Sequence, residues 1–231
     1  GRQIMKIKPF SQTLRVLSAL LAYPSDAMRA ATHELSNALQ SEAALTKSRI
    51  AELDTLLRQI ATLDPYDVEE RYVQTFDRGR ATSLHVFEHV HGDSRERGQA
   101  MVDLQKTYAS AGYYMDSANE LPDYLPMVLE FASTQTPDLA RGFLSETAHI
   151  INAIHTALAK RDSPYASVLA AVLDIAGVKP EMVAVPPEEP MDDVWAEPAA
   201  FDGCSVAGQA KPGQTQPIHF VKTDRQPGAQ A

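Results

Sequence analysis

The sequence predicts an all-α protein, and three observations carry that reading. Apolar residues recur at steps of three and four from Leu14 to Leu173, the period of an amphipathic helix. No stretch shows the sustained alternation with β-branched residues that a strand requires. Capping residues, prolines and glycines stand where the periodic runs begin and end.

Taken in order, Leu14, Leu17 and Leu21 share a helical face, with Val16 and Leu20 widening it, and Tyr23-Pro24 stops the helix. Ser25 caps a second helix that carries Met28, Ala31, Leu35 and Leu39. A third runs through Ile50, Leu53, Leu57 and Ile60. Asp64-Pro65 restarts the chain, with Asp as cap and Pro in the first turn, and Val68, Tyr72 and Phe76 face inward. Gly79 breaks that pattern. Thr82 or Ser83 then caps a helix with Leu84, Phe87 and His91 on one face, which Gly92 ends. Asp93 or Ser94 caps the next, where Met101, Leu104, Tyr108 and Ala111 make a buried stripe before Gly112.

Pro122 and Pro126 each offer a start for a helix with Leu125, Val128, Leu129 and Ala132 inside. Thr136-Pro137 ends it. One long helix is expected next, with Phe143, Ile150, Ile151, Ile154 and Leu158 inward. Ser163-Pro164 opens the last, carrying Tyr165, Val168, Leu169, Val172 and Leu173, and Gly177 stops it.

This pattern sets the expected organisation. Residues 1–9 form a short extension, too short and polar for a signal peptide, and residues 10–177 form one helical-bundle domain. Residues 178–231 read as an acidic, proline-rich and mostly disordered tail. Eight of the fifteen prolines lie from 177 onward, with eight acidic and four basic residues, too little apolar surface to offset ordering. Within that tail, Val194-Trp195 holds the only tryptophan and is the one segment placed to dock.

Net charge of −9 and a pI near 5.2 argue against a general nucleic-acid binder, whose footprint is basic. A single cysteine, Cys204, leaves no internal disulfide and suits a reducing cytoplasm. No apolar run has the length of a membrane span.

Chemistry-bearing residues concentrate between Phe76 and Leu104. Arg78, Arg80, Glu88, His89, His91, Arg95 and Arg97 gather beside helix ends, with Met101 following and Asp123 and Tyr124 in a second cluster. Arginines beside glycines can clamp an anionic group, and a methionine suits a groove that adapts to its ligand. His85-Val-Phe-Glu88-His89 spells the inverted zinc-protease string, and a zinc-dependent hydrolase is the alternative reading. On a helix His91 would lie about 200° round from His89, so it cannot complete that site. No nucleophile elbow, phosphate loop or dinucleotide fingerprint is present.

The run FDRGRATSLHVFEHVHGDSRERGQAMVDL closely resembles the signature region of the nitrate reductase assembly chaperones, the NarJ or delta-subunit family. ELPDYLP, residues 120–126, is similar to a second family segment, and Asp192-Asp-Val-Trp195 with Phe201 and Gly203-Cys204 to a third. The resemblance spans about residues 10 to 205 and implies the helical fold of redox-enzyme maturation chaperones, with no enzymatic activity and no cofactor of its own. It also implies a partner: the N-terminal tail of a nitrate reductase catalytic (alpha) subunit, held until molybdenum cofactor is inserted. In related chaperones the Pro-Asp pair continues with His; Tyr124 stands there in this chain, so that imidazole's role does not transfer. Glu88 is expected either to pair with the tail or to be a structural partner of Arg95 or Arg97.

Overall fold

The computed structural model describes residues 9–91, 95–115 and 120–184. Among them are eleven α-helices: α1 (Ser11–Leu21), α2 (Asp26–Ala30), α3 (Thr32–Glu42), α4 (Lys47–Thr62), α5 (Pro65–Phe76), α6 (Glu88–His91), α7 (Arg95–Ser110), α8 (Leu125–Ser133), α9 (Pro137–Glu146), α10 (Ala148–Lys160) and α11 (Ala166–Ala176). A 3-10 turn covers Arg80–Thr82, and the only extended pairing described is a single antiparallel bridge, His85 to Tyr124. The fold is all-α.

The predicted caps at Ser25 and Asp64 act as such, accepting from the Met28 and Tyr66 amides. Thr46, which the sequence reading did not single out, caps α4 by accepting from the Arg49 amide. Gly112 and Gly177 sit at φ +76 and +78, the left-handed conformation that closes α7 and α11. Val178 N–H reaches back to Leu173 O at 2.9 Å, as Tyr113 N–H does to Tyr108 O at 2.9 Å.

Two helices expected as continuous are each interrupted. The Ser25–Leu39 run breaks at Ala31, and the helix after Pro137 breaks at Thr147. Both breaks have a threonine hydroxyl bonded to the carbonyl three residues back: Thr32 to Arg29 at 2.9 Å and Thr147 to Leu144 at 3.1 Å. Those side chains compete with the helical ladder, which apolar periodicity does not register.

The core forms where α1 packs along α8 and α10 along α11. Eight of eleven residues of α11 and eight of nine of α8 are buried, and Leu14, Leu17, Leu129, Ile154 and Leu169 are wholly inside. Polar clamps fix the layers. The Ser18 hydroxyl donates to Pro126 O at 2.7 Å, joining α1 to α8. Glu42 of α3 accepts from Gln12 and Thr13 amides at 3.1 and 2.6 Å, capping α1 from outside. Arg29 donates to Ile60 O and Leu63 O at 2.6 and 3.0 Å, closing the C-terminal end of α4.

The 76–104 stretch departs most from expectation. No helix runs from Ser83 to His91; the chain is extended through His85 and becomes helical only at Glu88. In α7, Tyr108 is buried, Met101 and Leu104 are half-buried, and Ala111, beyond the helix, is exposed, so the stripe is shallower than predicted. Past Gly177, residues 178–184 continue against α10, where the sequence places tail. Gly92 as helix stop, Asp93 or Ser94 as cap, the Val194-Trp195 segment and Cys204 lie outside the described residues.

Candidate functional site

The site is assembled around a buried carboxylate. Leu84 O accepts from the Leu125 amide at 2.8 Å, and Asp123 O accepts from the Val86 amide at 3.1 Å. These two bonds lay residues 84–86 antiparallel to 123–125, and they are why 83–87 is not helical: the Leu84 carbonyl and the Val86 amide are taken by a distant segment. Asp123 itself is 0% exposed. One carboxylate oxygen accepts from the Phe87 amide at 3.1 Å; the other lies 3.3 Å from His85 Nδ1. A buried carboxylate is tolerable because both oxygens have partners. The bond to Asp123, and that residue's charge, raise the His85 pKa against the opposing effect of burial.

Around this anchor the motif residues take separate partners. Glu88 accepts from the Ser83 hydroxyl at 2.6 Å and from Arg97 at 3.2 Å, binding α6 to α7. His89 Nε2 donates to Ser83 O at 2.8 Å. His91 stacks edge-on against Phe87, with centroids 5.9 Å apart, and its Nδ1 is 3.9 Å from Glu96. Tyr124 lies against His85 at 5.3 Å between rings, and its hydroxyl is 3.3 Å from that of Tyr72. The Tyr72 hydroxyl also donates to Leu21 O at 2.7 Å. Burial pushes the phenols of Tyr72 and Tyr124 upward, so both stay neutral donors.

The zinc arrangement does not form. His85 and His89 share no helix, and Asp123, Ser83 and Arg97 occupy the groups it would use. Among the described residues no three histidine, cysteine or acidic side chains cluster as metal ligands.

Of the predicted residues, the structure brings together Glu88, Arg97, Asp123 and Tyr124, with His89 and His91 at the edge. Arg78, Arg80 and Arg95 are exposed on neighbouring elements. Ser83, which serves both Glu88 and His89, escaped prediction as a site member, and His85, read from the sequence as part of the zinc string, has instead a partner 38 residues away. No local spacing carries that pairing.

Beside this polar cluster lies a small apolar one. Tyr108, Met127 and Phe131 are buried together, with Leu104, Tyr113, Met115, Tyr124 and Phe143 half-covered against them. Tyr108 donates to Pro122 O at 2.8 Å, fixing α7 to the segment before α8. Val90, Val102 and Leu121, from α6, α7 and that segment, are 53%, 44% and 44% exposed.

Residues 22–171 match the family model described as nitrate reductase delta subunit. The chain belongs to the nitrate reductase delta-subunit family. Several of its relatives are named as molybdenum cofactor assembly chaperones. It is 40% identical over 163 residues, 71% of this chain and 69% of the relative, to the nitrate reductase molybdenum cofactor assembly chaperone NarJ of Escherichia coli K12. It is 34% identical over 171 residues to the probable NarJ chaperone of Bacillus subtilis, covering 72% of this chain and 91% of that one. A crystal structure of a putative redox enzyme maturation protein from Archaeoglobus fulgidus matches at a TM-score of 0.52 and 15% identity, over 77% of this chain and 99% of that one. That match concerns the fold: this delta-subunit family chain shares it with a redox-enzyme maturation protein.

Proposed function

We propose that this chain is a system-specific chaperone that binds the N-terminal tail of a nitrate reductase catalytic subunit while molybdenum cofactor is inserted. The observation that carries the reading is the surface where α6, α7 and residues 120–125 meet, in a chain 40% identical to a NarJ chaperone. That surface pairs half-covered apolar groups with charges at its border, the combination an amphipathic helix fits through anchors at i, i+3, i+4 and i+7.

Within this reading the residues divide by exposure. Phe87, Met101, Leu104 and Tyr124, all half-buried, supply apolar contact. Arg78, Arg80, Arg95 and Arg97 border it, with His89 and His91 alongside. Asp123 is wholly buried and acts by holding the 83–87 segment in place. Glu88, already engaged by Ser83 and Arg97, is a structural partner of α7 before it is a contact for the tail. The molybdenum cofactor is then cargo of the partner. No described helix is long and apolar enough to cross a membrane, and the proposed place of action is the cytoplasm.

Calorimetric titration of a synthetic peptide of that N-terminal tail tests the proposal. Binding should appear at low ionic strength, and association with basic positions of the tail should slow as salt rises, given the net charge of −9. A peptide that fails to bind at any salt concentration removes the reading.

A further inference from the structure

We propose that residues 178–184 form a releasable strap, held on α10 by a two-residue clasp that reads only its backbone. The clasp is Asn152 and Thr156, one helical turn apart and 8% and 0% exposed. Asn152 Oδ1 accepts from the Glu181 amide at 3.0 Å, and Thr156 Oγ1 accepts from the Val183 amide at 3.2 Å. The Thr156 hydroxyl also lies 3.2 Å from Glu181 O and 2.9 Å from Asn152 O.

The strap's side chains point elsewhere. Glu181 and Ala184 are exposed, and Met182 and Val183 are 60% and 39% exposed. Val178, next to the helix end, packs against the core, and Pro180 is half-buried. A segment held by a few polar bonds, with no fully buried apolar side chain, opens independently of the helices beneath. Gly177, at φ +78, provides the turning point. Release therefore detaches seven residues, 178 to 184, and frees the Asn152 and Thr156 side chains on α10.

Hydrogen exchange on the full chain tests this. The amides of Glu181 and Val183 should be protected, yet exchange faster than those of α10 and α11. Val183→Pro, which deletes one donor at an exposed position, should speed exchange at Glu181 at least tenfold, whereas Val183→Ala should leave it within twofold. Thr156→Val should release both amides, and Thr156→Ser, which keeps the hydroxyl, should retain them. Free-peptide exchange at both amides in the unaltered chain overturns the proposal. So does Val183→Ala acting like Val183→Pro, or loss of protection throughout α10 and α11 in Val183→Pro.

Discussion

Helices α11 and α7 sit at opposite ends of what holds this molecule together. In α11, eight of eleven residues are buried and none of those eight is polar; burial does most of the holding, beside single bonds from Arg49 to Asp174 and from Arg141 to Ile175 O. In α7, Tyr108 is the buried residue of sixteen, and named polar bonds at its two ends do much of the holding: Arg97 to Glu88 and Tyr108 to Pro122 O. A buried apolar residue contributes through area, in whatever direction it faces. A hydrogen bond contributes only with its partner in place, and its net worth is smaller. The interior of this protein is thus secured by apolar contact and the proposed binding surface by a short set of replaceable bonds, which leaves that surface the easier part to rearrange around a partner.

Truncating the two helices gives the largest contrast. Leu169→Ala should lower stability by about 2–5 kcal/mol, whereas Leu104→Ala, at a half-buried position on α7, should cost about 1 kcal/mol. Denaturant melts of both variants check this. Equal losses would mean that α7 is packed as tightly as the interior.

Next in size is the carboxylate that joins the two regions. Asp123→Ala leaves the buried Phe87 amide without an acceptor and should cost about 2–4 kcal/mol, with exchange protection lost first at Val86 and Phe87. Asp123→Asn, which keeps an acceptor for that amide, should recover part of the loss. A global effect without local loss would place Asp123 in the core network rather than at the loop.

Glu88→Ala should cost about 1 kcal/mol, because its partners are partly solvated, and should loosen α7 before it weakens peptide binding. Thermal melts beside calorimetry of the same variant separate the two. Weakened peptide binding at unchanged melting temperature would make Glu88 a direct contact.

The smallest effect concerns pH. His85 is raised above its ordinary value by its bond to Asp123. The stability this pair contributes is fully present below about pH 6.5, the unfolded value, and fades as pH rises through the higher folded value. Titration of His85 by nuclear magnetic resonance should show the raised value in the native chain and its collapse in Asp123→Asn. His85→Gln should flatten the stability profile just above pH 6.5. An unshifted His85 would mean that the 3.3 Å approach to Asp123 is not a bond in solution.

The all-α class, the apolar faces of α1, α4, α5, α8 and α11, the caps at Ser25 and Asp64 and the stops at Gly112 and Gly177 were determined by the sequence itself. Those features depend on residues three or four apart, or on one residue's own backbone preference. The family was legible for a different reason, since the 76–104 run and ELPDYLP keep their order and spacing as letters whatever shape they take. Tertiary structure alone decided the shape of that same run. Leu84, Phe87 and His91 have helical spacing, but the backbone groups of Leu84, Val86 and Phe87 are claimed by Asp123 and Leu125, and a bond across 36 residues leaves no periodic trace. The same holds for His85, whose character comes from Asp123, and for residues 181–183, whose composition reads as tail until Asn152 and Thr156 grip their backbone. Local chemistry sets where a helix can start and stop; which distant group takes a free amide is settled only once the chain has folded.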